Sequence, residues 1–156
     1  MRQNVHIIGS KKEMAQLADD FSKNLSGGEV LLMTGVLGAG KTFFSNLIAK
    51  NLGVCEKVTS PTFSLCREYQ YSEGKNILHF DLYRLSSYAQ LQELSFEDAL
   101  KNENNLIFIE WPECIRDLNL ADKINELVPK KTIYWIRITF ENNLKERRIV
   151  LEKHKA

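Results

Sequence analysis

Eight residues in the first third of the chain, Gly35-Val36-Leu37-Gly38-Ala39-Gly40-Lys41-Thr42, set glycine, lysine and a hydroxyl at fixed separations. Glycines let the backbone curl, so that successive N–H groups converge on one anion. A lysine at the end of such a curl adds a point charge, and the adjacent hydroxyl is a hard oxygen ligand for magnesium. Every fixed position of the G-x-x-x-x-G-K-[ST] pattern is met. On this reading Leu37, Gly38, Ala39, Gly40, Lys41 and Thr42 hold the phosphates of ATP, and Thr42 is a ligand of Mg2+. The alternative is a glycine-rich turn that matches by accident. A true phosphate loop needs a strand before it and a helix after it.

Phosphate binding becomes hydrolysis only with carboxylates to support the metal and orient water. Two acids end apolar runs: Asp81 after Asn76-Ile77-Leu78-His79-Phe80, and Glu110 after Leu106-Ile107-Phe108-Ile109. Both resemble a Walker B arrangement, which places an acid on the rim where the phosphate loop sits. Glu110 follows the better strand and is the first choice as metal ligand, directly or through water. Asp81 is the choice for outer metal support or water orientation, and the sequence leaves open which acid touches the metal. For either acid the alternative is a surface carboxylate at a strand end. In Ser60-Pro61-Thr62-Phe63 the proline biases Ser60 to an extended shape. A hydroxyl held at Thr62 can sense the γ-phosphate, or Thr62 can simply be a β-branched residue starting a strand. His79 reads as structural, since no second histidine lies near it in sequence. Trp111 packs over the site, forms a docking surface or belongs to the core. Tyr83-Arg84 reaches a phosphate or a partner, or forms an ordinary surface pair.

The frame for these groups is legible in the spacing of apolar residues. Ser10-Lys11-Lys12-Glu13 is a capping box, and Met14, Leu17, Ala18, Phe21 and Leu25 continue one helical face up to Gly27-Gly28. Val30 to Met33 predicts a buried strand. Lys41 to Leu52 predicts a helix with Phe44, Leu47 and Ile48 on one side and Gly53 as its left-handed stop. Thr62 to Tyr71 and Ile77 to Tyr83 predict a hairpin, Leu91 to Leu100 a helix, and Leu106 to Ile109 a central strand. Pro112 to Pro129 predicts short helix and loop. Thr132 to Phe140 and Arg147 to Leu151 predict a last hairpin, followed by a solvated tail. Early strand–helix alternation with later hairpins predicts an α/β P-loop NTPase fold, a three-layer sandwich with a mixed parallel and antiparallel central sheet.

The chain has 156 residues, 44% of them hydrophobic, which predicts one domain over 1–156. A formal net charge of +1 argues against a protein that grips nucleic acid alone over a wide surface. The cysteines, Cys55, Cys66 and Cys114, have neither the count nor the spacing of a disulfide frame or zinc site. No apolar run has membrane-helix length and no secretory leader is recognisable, so a cytoplasmic protein is expected.

Four motifs stand in order: Leu37-Gly38-Ala39-Gly40-Lys41-Thr42, Ser60-Pro61-Thr62-Phe63, His79-Phe80-Asp81-Leu82-Tyr83-Arg84 and Glu110-Trp111-x-Glu113. Together they closely resemble the bacterial TsaE family, also called YjeE, over nearly the whole chain. The resemblance implies a P-loop ATPase used in making the threonylcarbamoyl modification on adenosine 37 of tRNA. It implies TsaD and TsaB as protein partners, with tRNA met only through them and no membrane. By motif, Lys41 and Thr42 hold phosphate and magnesium, Thr62, Asp81 and Glu110 support hydrolysis, and Trp111 belongs to the same edge. Val36 and Phe43 depart from the polar residues usual in the family, and neither carries an assigned chemical role. Other readings are a small P-loop kinase, which wants an acceptor pocket and an arginine-bearing lid, and a nucleotide-sensing module without turnover. A GTPase would want an N-K-x-D segment, and none is present.

Overall fold

The computed structural model describes residues 3–61 and 63–154. Its central strands are those in which apolar residues occur without alternation, the pattern of a sheet covered on both faces. They are β2 (Val30–Thr34) and β5 (Asn105–Glu110), and all of β5 is buried. Around them lie β1 (Gln3–Ile8), β3 (Cys66–Ser72), β4 (Lys75–Asp81), β6 (Ile133–Glu141) and β7 (Glu146–His154). Among the described residues these form one sheet in the order β1-β7-β6-β2-β5-β4-β3. β2 runs parallel to β5 and β6, and β4 parallel to β5. The β3–β4, β6–β7 and β1–β7 pairs are antiparallel. The sheet is therefore mixed.

Helices α1 (Lys11–Ser22) and α2 (Lys41–Leu52) cover one face. Met14, Leu17, Phe21, Phe44 and Ile48 pack there against Leu31, Met33, Leu106 and Phe108. The other face carries α3 (Tyr88–Gln92), α4 (Phe96–Lys101) and α5 (Leu120–Leu127). Leu91, Phe96, Leu100 and Ile124 pack there against Val30, Leu32, Ile107 and Ile109. Three layers result, as expected.

The capping box forms at α1. The Ser10 hydroxyl accepts from Glu13 N, while the Glu13 carboxylate accepts from Gly9 N. The helix ends at Ser22, before the Gly27-Gly28 stop expected for it. The loop instead wraps the Glu29 carboxylate, which accepts from the N–H groups of Ser26, Gly27 and Gly28. Gly53 ends α2 in the left-handed conformation, φ 111°.

Four further expectations need correction. The strand expected from residue 62 begins at Cys66, and its partner closes at Asp81 rather than Tyr83. The helix expected over 91–100 is two short helices, broken where Ser95 takes φ 55°. Glu152 to His154, expected as a frayed tail, extends β7. There Glu152 lies opposite Gln3 and Trp135, and His154 opposite Ile133. β6 supplies that pairing throughout, and β1, which was not expected as a strand, adds the Gln3–Glu152 pair.

Candidate nucleotide-binding site

The segment 35–40 leaves the end of β2 and turns into α2. Three of its residues need φ values that side chains resist: Gly35 at 144°, Gly38 at 77° and Gly40 at 115°. At Gly35 a β-carbon would stand 2.2 Å from the Ile138 carbonyl oxygen of β6. Gly35→Ala is thus expected to lower stability by about 1–3 kcal/mol, the range for forced overpacking. Thermal unfolding with and without nucleotide measures it, and an unchanged Tm would show that the loop relaxes freely.

No side chain caps α2 at its first turn, so its leading N–H groups face the curl of the loop. The space beside Gly38 is open to 4 Å around the position of a β-carbon. The loop is braced from outside by Arg147 of β7, whose Nε donates to Ala39 O at 3.1 Å.

Lys41 is 5% exposed and folds back over the loop. Its Nζ donates to Gly35 O at 2.5 Å and to Val36 O at 3.2 Å. The same ammonium sits 3.6 Å from the centre of the Trp111 ring. Burial pushes its pKa down, against the pull of Glu110, Glu113 and Asp81. Trp111 holds φ 61°, and its N–H donates to Met33 O. Its ring packs against Tyr83 with centroids 5.0 Å apart. Of the readings open for it, Trp111 takes the edge of the site.

The two acids are neighbours. In the β4–β5 register Asp81 lies opposite Glu110, each at the C-terminal end of its strand, and Met33 of β2 lies opposite Glu110 on the other side. Both carboxylates are buried, so neither is a surface carboxylate. Glu110 Oε2 accepts from the Thr42 hydroxyl at 3.0 Å, and Oε1 lies 2.9 Å from His79 Nε2. Asp81 Oδ2 accepts from the Ser60 hydroxyl at 2.6 Å, and Oδ1 accepts from Tyr83 N at 3.0 Å. The Ser60 link joins the 60–61 segment to a cleft acid, and Thr62 itself lies outside the described residues. His79, read as structural, touches Glu110 on the neighbouring strand. In sequence it lies two residues before Asp81 and shares that acid's face of β4, a signal that points to the site but not to Glu110. Arg84 stacks on Phe63, 4.7 Å from the ring centre.

Gly38, Lys41, Thr42, Asp81, Glu110 and Trp111 line one cleft of ≈ 390 Å³. Its donor set suits both expected guests. A helix N-terminus, an ammonium and glycine N–H groups fit phosphate. Two buried carboxylates side by side with a threonine hydroxyl fit magnesium, which binds few protein oxygens and completes its shell with water and phosphate.

This fold and this cleft define a P-loop nucleotide-binding protein. The family model for threonylcarbamoyl adenosine biosynthesis protein TsaE matches residues 8–149. The tRNA threonylcarbamoyladenosine biosynthesis protein TsaE of Rickettsia prowazekii is 44% identical over 115 residues, covering 73% of this chain and 78% of that one. The protein of the same name from Aquifex aeolicus is 35% identical over 109 residues, covering 69% and 75%. The chain belongs to the TsaE family. The crystal structure of YdiB from Bacillus subtilis shares the fold, with a TM-score of 0.68 at 23% identity over 99% of this chain and 87% of that one.

Proposed function

We propose that this chain, acting as one cytoplasmic domain, is a magnesium-dependent ATPase serving the threonylcarbamoyl modification of adenosine 37 in tRNA, together with TsaD and TsaB proteins. Family membership supports the pathway. The observation that carries the ATPase reading is the meeting of the Lys41 ammonium, the Thr42 hydroxyl and two buried acids in one cleft.

In this mechanism Leu37 to Gly40 present N–H groups to the phosphates, and Lys41 swings its ammonium from the loop carbonyls to the β- and γ-phosphate oxygens. Thr42 and Glu110 would hold magnesium, Glu110 directly or through water, and the ion would supply further positive charge to offset that of the phosphates. Asp81, held by Ser60 and Tyr83 N, orients the attacking water in line with the γ-phosphate in this reading, and Thr62 senses that group. Trp111, packed on Tyr83, walls that edge of the cleft from solvent, which strengthens the field of the ammonium at the phosphates. A net charge of +1 supports contact with tRNA through partners rather than alone.

Phosphate release, measured alone and with TsaD plus TsaB, tests the reading. Slow turnover alone and faster turnover with the pair are expected, with retention of the pair in a pull-down only when ATP is present. Equal rates with and without the pair count against the partner role. Phosphate transferred to a metabolite rather than water identifies a kinase instead. Tight nucleotide binding without turnover, partners included, identifies a sensing module.

A further inference from the structure

We infer that His79 is a positioning residue, which fixes the Glu110 carboxylate through a hydrogen bond from Nε2 and thereby sets how the protein holds a metal–nucleotide complex. The inference rests on the proposed ATPase site.

His79 sits in β4 with none of its surface exposed. The β4–β5 register places it opposite Phe108, one step behind Glu110 on the α2-facing side of the sheet. Its ring meets Phe108 edge to face, with centroids 6.1 Å apart and planes at 73°. Packing therefore holds the ring still. The Glu110 carboxylate accepts, so the proton belongs on Nε2. Among the described residues the other ring nitrogen, Nδ1, has no hydrogen-bond partner.

A buried ring nitrogen without a partner lowers stability. A leucine or phenylalanine at this place would fill the space without that cost. What the histidine provides in exchange is one contact, 2.9 Å to Glu110 Oε1. Thr42 takes the other oxygen. A glutamate turns about several bonds, and anchors on both oxygens leave its carboxylate one orientation. Groups that orient a metal-supporting side chain act on the metal without touching it.

Three variants separate orientation from packing. His79→Gln keeps an N–H at about the reach of Nε2, His79→Asn offers one only near Nδ1, and His79→Leu keeps bulk with no donor. The probe is a fluorescent ATP analogue, titrated with and without Mg2+. The gain in affinity that Mg2+ brings is the readout, with phosphate release and thermal unfolding beside it. His79→Leu and His79→Asn are expected to lose about 10-fold or more of that gain and of turnover, and His79→Gln to restore most of both. Binding of the analogue without Mg2+ should be unchanged in all three. Adding His79→Leu to Glu110→Gln should bring little further loss.

Equal losses in the Gln and Leu variants, or a Leu variant like the parent, overturn the inference and leave the ATPase reading standing. Additive losses in the double variant do the same. A parent protein whose binding is indifferent to Mg2+ overturns both.

Discussion

Lys41→Ala is expected to abolish measurable ATP hydrolysis, a fall of at least about 10²-fold, as when one preorganised charge-stabilising donor is removed. Lys41 is nearly buried, and its ammonium already lies among the carbonyls of Gly35 and Val36 and the face of Trp111. Moving a few ångströms from those carbonyls to phosphate requires no refolding. In a site shielded from water that charge acts at far less than aqueous screening. Alanine removes the charge that would meet the phosphates, so nucleotide binding should weaken as well; the Val36 carbonyl keeps the N–H of Ala39 as a donor. Lys41→Arg should not restore activity, because a planar fork does not replace a compact ammonium inside a tight loop. Phosphate release and analogue binding report the two effects separately. Hydrolysis at the parental rate in the alanine variant would remove the lysine, and with it the loop, from the chemistry.

Glu110→Gln should separate binding from turnover. The glutamine keeps the size of the side chain and an oxygen to accept from Thr42, but loses the negative charge. Hydrolysis is expected to fall roughly 10²-fold or more, the scale of a positioned group that handles protons or supports the metal. Nucleotide binding should survive in good part, since Lys41 and the glycine loop are untouched. The dependence on magnesium should move to higher concentration. Full activity in this variant would take Glu110 out of the mechanism and leave Asp81, its neighbour across the sheet, as the working acid.

Much of this site was legible in the sequence because its parts are local. Gly35 to Thr42 carries its own turn chemistry, and Val30–Thr34 and Lys41–Leu52 flank it as a strand and a helix. Asp81 and Glu110 close apolar runs as read, although the first strand was expected to run on to Tyr83. What could not be read was set by pairing between distant segments. Asp81 and Glu110 are neighbours only because β4 and β5 are adjacent and in register. The contact of His79 with Glu110 needs that same register, so a histidine with no second histidine nearby looked inert. β1 escaped notice because it is an edge strand. Val5 and Ile7 remain exposed there, so the short alternation of Asn4-Val5-His6-Ile7 marks no buried face. The break at Ser95 has no sequence signal beyond a residue of weak helix preference.

The placement of Trp111 has an optical consequence. The chain holds two tryptophans, and the other, Trp135, lies on β6 away from the cleft lining. An indole with a cation against its face emits differently once that cation leaves. The protein therefore carries a dye-free gauge of where its lysine is pointing, readable in real time by ultraviolet fluorescence.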